Sequence, residues 1–302
     1  MAGYDKLISW VKEPFRLPYL AARARFTSER GYMEQRYLRE FGRAVDLENP
    51  RTFNEKIQYL KLYHRPAVLP ALVDKYEVRD HVARRGCGWA LNELLGVYRR
   101  VEEIDFQALA EPFVLKMTNA SGRNNICTDK SKLDWGREVK TIHRWSKYNY
   151  YVEGREWVYR SIPSRIVIEK YLSDLENPSP LDYKILCFEG VPHYIGVDME
   201  RRTAHKRNLF DLDWNLLPYQ YGFPRSSRTI ARPANLGEMI EVAKILARGL
   251  FFCRVDLYSI LGRTVFGEMT FIPCNGFGHF LPAEHDLEWG SRMNLANLKN
   301  YP

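Results

Sequence analysis

The sequence lacks the features that mark several large classes of protein. No apolar run in its 302 residues approaches the roughly 20 that a membrane-spanning helix needs. The five cysteines, an odd number, form neither a Cys-x-x-Cys pair nor a zinc-type spacing, which argues against a disulfide framework and a structural metal. Trp10, Lys12, Glu13 and Arg16 interrupt the apolar core that a secretory signal would need. These absences predict a cytoplasmic, enzyme-sized globular protein.

Two common nucleotide-binding loops are also missing. The sequence contains neither GxxxxGKS/T nor GxGxxG, so neither a Walker A loop nor a Rossmann phosphate site is predicted. The net charge of +8 nevertheless favours an anionic partner, which is a nucleotide, a nucleic acid, a lipid head group or an acidic sugar. Nucleic acid is not favoured, because the sequence has no Arg/Gly-rich tail, zinc-finger spacing or RRM signature.

Residues 3–30 mix apolar side chains with lysines and arginines. Such a segment either lies on an anionic membrane surface or forms a helical arm that packs on its own domain with its basic side in water. The packed arm is the commoner arrangement, so it is the one we expect, and peripheral contact with the inner membrane surface is left open.

Two acidic side chains are predicted to face each other across a β-hairpin. Residues 252–270 alternate like two strands joined by a turn around Gly262, and a hairpin symmetric about this glycine places Asp256 opposite Glu268. Facing like charges destabilise a sheet, so a cation is expected between them. A divalent ion whose other ligands are nucleotide phosphates is the natural candidate.

The same symmetry places Arg254 opposite Thr270, and it puts Thr264 and Phe266 on the face of Glu268. Arg254 supplies the alternative to a metal ion, because an exposed hairpin whose carboxylates are solvated or paired with this arginine satisfies the same charges. The residue pattern alone leaves both arrangements open.

A short strand followed by a loop of small residues predicts a phosphate contact. Residues 113–116 are apolar up to Lys116, residues 117–125 are mostly small or polar, and a second strand is expected at 126–128. Backbone N–H groups of such a loop close over phosphates, and the strand lysine adds a charge. A plain β-hairpin with a flexible tip is the alternative.

Other elements are predicted from periodicity and turn residues. Thr52 and Glu55 form a capping-box pattern that begins a helix running toward Tyr63. Helices are also expected near 73–82, 133–150 and 235–249, a strand at 166–172, a hairpin at 182–197, and loops at 205–208 and 271–278. Lys75 is expected to be a solvated helix lysine rather than a phosphate ligand. The aromatic residues of 145–157 form either a stacking platform or core packing.

Several distinct motifs occur along the chain in a recognisable order. They are NPRTFNEKIQYLKLY at 49–63, LVDKYEVRDHV at 72–82, FVLKMTNASGRNNI at 113–126, GREW at 154–157, IVIEKYL at 166–172, DYKILCFEGVP at 182–192, HKRNLFDLDWNLLP at 205–218, and RVDLY with FGEMTF within 254–271. From about residue 33 to 288 the chain thereby resembles the TupA-like branch of the ATP-grasp family, which is associated with polysaccharide biosynthesis.

The resemblance implies an α+β ATP-grasp fold whose two α+β lobes sandwich ATP and Mg²⁺. The implied division is an N-terminal helical region at 1–95, a small lobe with the nucleotide-closing loop at 96–175, and a C-terminal lobe with the metal site at 176–302. The implied nucleotide contacts are Lys116, Ser121, Gly122, Glu169, Lys170 and Leu172, the implied metal ligands are Asp256, Glu268 and Thr270, and the implied catalytic residues are Lys184, His205, Lys206, Arg207 and Arg254.

One departure from the family pattern concerns the metal. ATP-grasp enzymes commonly carry Glu-x-Asn there, whereas the third position here is Thr270. Either its hydroxyl substitutes, or Asn275 reaches in, or only one magnesium ion is held tightly.

The resemblance also implies a reaction. A substrate carboxylate attacks the γ-phosphate of ATP, and an amine captures the resulting acyl phosphate as an amide. The association with bacterial surface polymers implies a uronic acid or acidic peptide as the carboxylate, with an amino acid or other amine as co-substrate. The basic run His205–Arg207 suits that anion, although a solvated basic turn is its alternative. A metal-dependent glycosyltransferase-like enzyme and a noncatalytic sugar- or nucleic-acid-binding module are the rival functions.

Overall fold

The computed structural model describes residues 13–173, 180–201 and 204–301. The α-helices are α1 (Glu13–Phe26), α2 (Glu29–Phe41), α3 (Phe53–Tyr63), α4 (Leu69–Val73), α5 (Val78–Val82), α6 (Trp135–Ser146), α7 (Tyr151–Gly154), α8 (Leu236–Ala247) and α9 (His285–Ser291). Shorter 3-10 turns lie at Gly88–Ala90, Val101–Glu103, Lys130–Lys132, Trp157–Tyr159, Pro273–Gly276 and Leu295–Asn300, with a π-type turn at Ala83–Cys87.

The strands form antiparallel sheets. They are β1 (Leu94–Tyr98), β2 (Phe113–Met117), β3 (Asn124–Cys127), β4 (Ile166–Lys170), β5 (Asp182–Phe188), β6 (Val191–Met199), β7 (Lys206–Phe210), β8 (Gln220–Tyr221), β9 (Phe252–Ile260), β10 (Arg263–Thr270) and β11 (Phe280–Leu281). A four-stranded sheet has the order β1-β4-β2-β3, a five-stranded sheet has the order β10-β9-β5-β6-β7, and β11 pairs with β8. Helices beside antiparallel sheets make this an α+β architecture.

The two faces of the five-stranded sheet have different surroundings. Helix α8 packs against β5, β6 and β9 and buries Met239, Ala243 and Leu246 there, as its apolar periodicity predicts. Strand β5 is buried along its whole length, yet it carries Asp182 and Lys184, which point away from α8 because successive side chains alternate. The open face is therefore the one that carries charge.

The predicted hairpin is present, but one detail of the prediction is wrong. Asp256 lies opposite Glu268 and Arg254 opposite Thr270, as expected. A bulge at Gly267 shifts the register, so Phe266 pairs with Leu257 on the core face, as an extra residue in one strand requires. Thr264 also lies on that side, where its hydroxyl contacts Asn235 and Glu238 at the start of α8. Thr264 and Phe266 therefore do not share the face of Glu268.

Two further predictions need correction. The helix expected at 73–82 is divided into α4 and α5, because the Asp74 carboxylate accepts hydrogen bonds from the N–H groups of Tyr76 at 2.8 Å and Glu77 at 3.2 Å and so stabilises a turn. The loop expected at 205–208 is mostly strand, since Lys206, Arg207 and Asn208 belong to β7. Both corrections place basic side chains in the cleft described below.

The N-terminal arm packs on the protein from residue 13 onward. Leu17 and Leu20 of α1 are buried, and the Arg155 guanidinium donates to the carbonyl oxygens of Ala24 at 3.0 Å and Thr27 at 3.3 Å. This satisfies carbonyl groups that the end of a helix leaves without partners. Residues 3–12 of the predicted segment lie outside the described residues. Among the residues that are described, no helix combines the length and apolar content needed to cross a membrane.

Several sequence patterns are confirmed. Thr52 and Glu55 form the complete capping box at the start of α3, and this helix ends at Tyr63 as predicted. Four aromatic residues of 145–157 follow the packing alternative, since Trp145, Tyr150, Tyr151 and Trp157 are partly buried against hydrophobic clusters.

We predict that Gly290→Ala is destabilising. Helix α9 crosses the start of α3 so closely that a Cβ atom at position 290 would lie 2.1 Å from the carbonyl oxygen of Arg51. The backbone must move to relieve this contact, which typically costs about 1–3 kcal/mol. Urea unfolding measures the loss. Gly237→Ala in α8 is the matched control, because a Cβ there meets nothing within 4 Å and alanine favours a helix. Equal stability of the two variants would contradict the prediction.

Candidate active site

Lys184 lies at the centre of a buried charge network on the open face of the five-stranded sheet. Its Nζ donates to the carboxylates of Asp182 at 2.7 Å and Asp256 at 2.6 Å, and Asp198 lies at 3.7 Å. Pairing of β5 with β9 places Lys184 directly opposite Asp256, and pairing with β6 places Asp182 opposite Asp198. The sheet register therefore assembles the cluster.

Arginines on the same face balance the aspartates. Arg254 donates twice to Asp256, at 2.6 and 2.7 Å, which is the strong bidentate arrangement. Arg207 binds Asp198 in the same way through two of its nitrogens, and the terminal nitrogen of Arg201 reaches Asp182 at 2.7 Å. Each aspartate thus has an arginine partner.

The pKa values of the aspartates follow from these contacts. Burial alone raises the pKa of each one, because it disfavours the charged form. For Asp256, Arg254 and Lys184 outweigh burial and lower the pKa. For Asp198, Arg207 and Lys184 hold the pKa well below its usual value. For Asp182 burial prevails, and its pKa is raised. Asp182 is therefore the least compensated acid of the network.

A cavity of about 120 Å³ lies between the two sheets and is lined by Asp182, Asp256 and Glu268 on one side and by Lys116 on the other. Among the described residues, the Oδ1 atom of Asp182 is buried without a hydrogen-bond partner. Glu268, with its side chain 37% exposed, has a 3.5 Å contact from Arg254 and one of the same length from Thr270. Carboxylate oxygens with this freedom suit Mg²⁺.

Within the described part of the chain, no group of three acidic, histidine or cysteine residues is arranged to hold a metal ion by itself. That fits an ion that shares its coordination with phosphates and water, as Mg²⁺ does. Thr270 does not line the small cavity, and its hydroxyl accepts a hydrogen bond from Arg254 at 3.0 Å. Asn275 is held by Lys61 and by the Gly154 carbonyl oxygen. The freest carboxylate oxygens at the small cavity are therefore those of Asp182 and Glu268, whereas both oxygens of Asp256 are bonded to Arg254 and Lys184, and its role as a metal ligand stays a prediction.

A second cavity, of about 420 Å³, adjoins the first. Apolar side chains of Val114, Ile126 and Leu172 line it, together with the ring of Tyr171. Lys116, Gly122, Asn124, Arg201 and Tyr258 line both cavities. An apolar chamber that opens beside a lysine and a glycine loop has the form of a nucleotide pocket.

The predicted nucleotide residues divide into two groups. Lys116, Ser121, Gly122 and Leu172 line the cavities, whereas Glu169 and Lys170 line none of those described here. Glu169 is buried and binds Lys116 at 2.6 Å and Arg79 at 2.9 Å, so it positions the lysine. Lys170 is exposed.

Lys75 was not expected at the site, and its predicted solvation is wrong. It follows the turn at Asp74 and lines the small cavity with Lys116, where its Nζ donates to the Ala120 carbonyl oxygen. Burial lowers the pKa of Lys75, with Glu268 opposing this effect. A second lysine therefore faces the position that phosphates would occupy.

The third cavity, of about 360 Å³, adjoins the small cavity and also shares Arg201 and His205 with the nucleotide pocket. We call it the acceptor cavity. Of the predicted catalytic residues, Lys184, His205, Arg207 and Arg254 line it, and Lys206 does not. The N-terminal helices add Arg16, Arg36 and Glu40. Sequence analysis did not predict this wall, because no local pattern shows that helices near the N-terminus line the same cavity as Arg254 of β9.

Asp182, Lys75 and Arg201 are the other site residues that sequence reasoning missed. Asp182 had a signal, since a charged residue two positions before Lys184 in an otherwise apolar strand marks one face. The sequence pattern does not place Lys75 or Arg201 at the site, because their positions depend on a turn and on packing between sheets.

Helices packed on antiparallel sheets, with a cleft between two of those sheets that is lined by basic and acidic residues, define an α+β protein with a charged site. A family model described as TupA-like ATPgrasp matches residues 55–294. The chain therefore belongs to the TupA-like ATP-grasp family. No sequence among the curated proteins matches it.

Solved structures with partial likeness include two amino acid ligases. D-alanine–D-alanine ligase from Bacillus anthracis complexed with ATP is 18% identical, with a TM-score of 0.41 over 67% of this chain and 56% of that one. L-amino acid ligase from Bacillus licheniformis is 13% identical, with a TM-score of 0.44 over 83% of this chain and 57% of that one. The chain thus spans little more than half the length of these two.

We predict that Asp198→Asn destabilises the fold, because it leaves the buried Arg207 without its counter-charge. The expected loss is about 3–5 kcal/mol at pH 7, measured by urea unfolding. The exposed Asp213→Asn is the control and should change stability by less than about 0.5 kcal/mol.

The same contact predicts a pH dependence. The pKa of Asp198 is lowered on folding, so its stabilising contribution is complete above an unfolded pKa of about 3.9 and is lost as pH falls toward the lowered folded value. The difference in the free energy of unfolding between wild type and Asp198→Asn should become smaller below pH ~4. A difference that stays constant across this range would count against the contact.

Proposed function

We propose that the protein is an ATP-dependent carboxylate–amine ligase that forms an amide through an acyl phosphate. The observation that carries this proposal is the continuity of the three cavities. Lys116 and Gly122 line both the nucleotide pocket and the small acidic cavity, and Ser121, Arg201 and Glu268 line both the small cavity and the acceptor cavity. A nucleotide in the first chamber would thus direct its phosphates past the acids toward an acceptor in the third.

The position of each residue that lines the cavities indicates its proposed role. Lys116 and Lys75 lie where they would neutralise phosphate oxygens, and Asp182 and Glu268, beside Asp256, would offer oxygens to a magnesium ion. When bound, ATP supplies the phosphoryl group and Mg²⁺ offsets its charge. Such transfer depends on positioning and on charge stabilisation rather than on a protein nucleophile.

The acceptor cavity suits a carboxylate substrate. Arg207 and Arg254 line it with Lys184, and the guanidinium nitrogens that do not bind Asp198 and Asp256 would donate to a carboxylate. His205 stacks on Phe223 with ring centroids 3.6 Å apart, which adds a flat wall. A uronic acid, which combines a sugar ring with a carboxylate, fits both features.

The family's association with surface polymers supports the finer part of the proposal. We infer that the carboxylate belongs to an acidic sugar of a bacterial capsule or other surface polysaccharide, and that the amine is an amino acid or a related amine. The reaction would take place on the cytoplasmic side, where ATP is present. Contact with the inner membrane surface through the N-terminal arm stays a prediction.

We predict that Lys116→Ala weakens ATP binding by roughly 10–100-fold, the value of one charge-assisted hydrogen bond. Glu169 keeps its contact with Arg79, so the fold should survive the change. Isothermal titration with Mg-ATP measures the dissociation constant. Lys132→Ala removes an exposed lysine of the same lobe and should bind ATP like the wild type. An unchanged affinity of Lys116→Ala would rule out the phosphate contact.

The proposed reaction predicts ADP release that needs both a carboxylate and a nucleophile. A panel of uronic acids is combined with amino acids and simple amines, and hydroxylamine is used to trap the acyl phosphate as a hydroxamate. Glu268→Gln should lower ADP release by about 100-fold or more. Because Glu268 is partly exposed, the variant should keep the wild-type melting temperature, which is measured as the control.

The glycosyltransferase-like alternative gives the opposite ligand preference. A thermal-shift comparison should show stabilisation by Mg-ATP and none by UDP-sugars. Stabilisation by UDP-sugars alone, or the absence of any hydroxamate, would refute the ligase proposal.

A further inference from the structure

Glu156, in the GREW segment, is a buried carboxyl group to which the proposed reaction gives no role. It is 7% exposed and lines the acceptor cavity. Every other carboxylate of that cavity lies within 4 Å of a cation: Glu40 near Arg36, Glu153 near Arg123, Asp198 near Arg207 and Glu268 near Arg254. Over the described residues, Glu156 has neither an ion pair of this kind nor a side-chain hydrogen bond. A buried acid without a partner needs an explanation.

The local backbone keeps this carboxyl group in place. Position 154 is a glycine, and a Cβ atom there would lie 3.2 Å from Oε1 of Glu156 and 2.6 Å from Nδ2 of Asn275. Lys61 is the obvious candidate for a partner, but its Nζ donates instead to the Gly154 carbonyl oxygen at 2.9 Å and to Oδ1 of Asn275. The nearby cation is therefore already engaged, and the face of Glu156 toward the cavity is left for a ligand.

The charges around Glu156 agree with this arrangement. The groups that act on it or respond to it are Lys61, Arg36, Arg254, Glu268, Tyr150 and Tyr159. Burial raises the pKa of Glu156 to about 7, although Lys61, Arg36 and Arg254 oppose the rise. A carboxyl group of this kind gains from a cationic ligand and is suited to accept a proton near neutral pH.

We infer that Glu156 marks the subsite of the amine co-substrate, where it binds the ammonium group and accepts its proton before attack. The inference rests on the proposed ligase function and extends it, because it assigns the amine to the wall formed by α1, α2 and the GREW segment. The carboxylate substrate would lie on the opposite wall, beside Arg207 and His205. The ligand class is a primary amine that is protonated in water.

The reaction then balances as follows. The ammonium group transfers one proton to the Glu156 carboxylate, which frees the nitrogen lone pair. The nitrogen attacks the carbonyl carbon of the acyl phosphate and forms the C–N bond. The C–O bond to phosphate breaks, and phosphate leaves with its electron pair and takes the second proton from nitrogen. The Glu156 proton returns to water after the amide departs.

A partition experiment tests the assignment. With the uronic acid that supports ADP release, Glu156→Gln should lower kcat/KM for ethanolamine by about 100-fold. It should leave hydroxamate formation from hydroxylamine, which is neutral at pH 7.5, within about twofold of wild type. Glu156→Asp should recover part of the ethanolamine activity. Equal losses with both nucleophiles would show a structural role and overturn the inference, as would an undiminished ethanolamine reaction.

A binding measurement separates this inference from the proposed function. Ethanolamine at millimolar concentration and pH 8 should raise the melting temperature of the wild type but not that of Glu156→Gln, with sodium chloride as the ionic control. Glu29→Gln is the matched control variant, because Glu29 is a carboxylate of the N-terminal region that is already paired with Arg65. Ethanolamine should raise the melting temperature of this variant as it does that of the wild type. Equal shifts in wild type and Glu156→Gln, or no shift in wild type, would overturn the subsite. A missing hydroxamate with an intact shift would refute only the ligase chemistry.

Discussion

The contact between Lys184 and its aspartates is the constraint on which the site depends. Three strands of one sheet, β6, β5 and β9, each bring an aspartate to the same buried position, and without a central cation these charges would repel. Lys184 contacts Asp182 and Asp256 directly and lies near Asp198. Removing one member of such a network leaves the others buried without compensation. The fold of the sheet and the chemistry of its open face are therefore energetically linked.

The network bears on a choice that the sequence left open. The hairpin carboxylates were expected either to hold a metal ion or to pair with Arg254, and the structure shows the pairing. Arg254 binds both oxygens of Asp256, while it lies 3.5 Å from Glu268, whose side chain is partly exposed. The arginine therefore offsets the repulsion between the two acids without fully engaging Glu268, and a magnesium ion beside Glu268 stays a prediction.

The sequence predicted what depends on local periodicity. Alternation alone placed Asp256 opposite Glu268, and the capping pattern at Thr52 located the start of α3. It failed where a single residue changes the register or interrupts an element. The bulge at Gly267 moves Phe266 to the core face, and the Asp74 carboxylate ends one helix and begins a turn. Neither event leaves a periodic signal, because each depends on one residue and its neighbours in space.

The acceptor cavity shows most clearly what local sequence patterns cannot predict. Its walls combine Arg36 of α2, Glu156 of the GREW segment and Arg207 of β7, which meet only because the sheets and helices pack together. The Arg155 guanidinium ties the end of α1 to this wall, and the Tyr32 hydroxyl of α2 donates to the Glu153 carbonyl oxygen at 3.0 Å. The N-terminal helices are thus part of the site itself. The cavity beside Lys116 is lined by strands and a loop, whereas the acceptor cavity also has this helical wall. Under the proposed function, changes in the helices would therefore alter which acceptor fits and leave the nucleotide pocket unchanged.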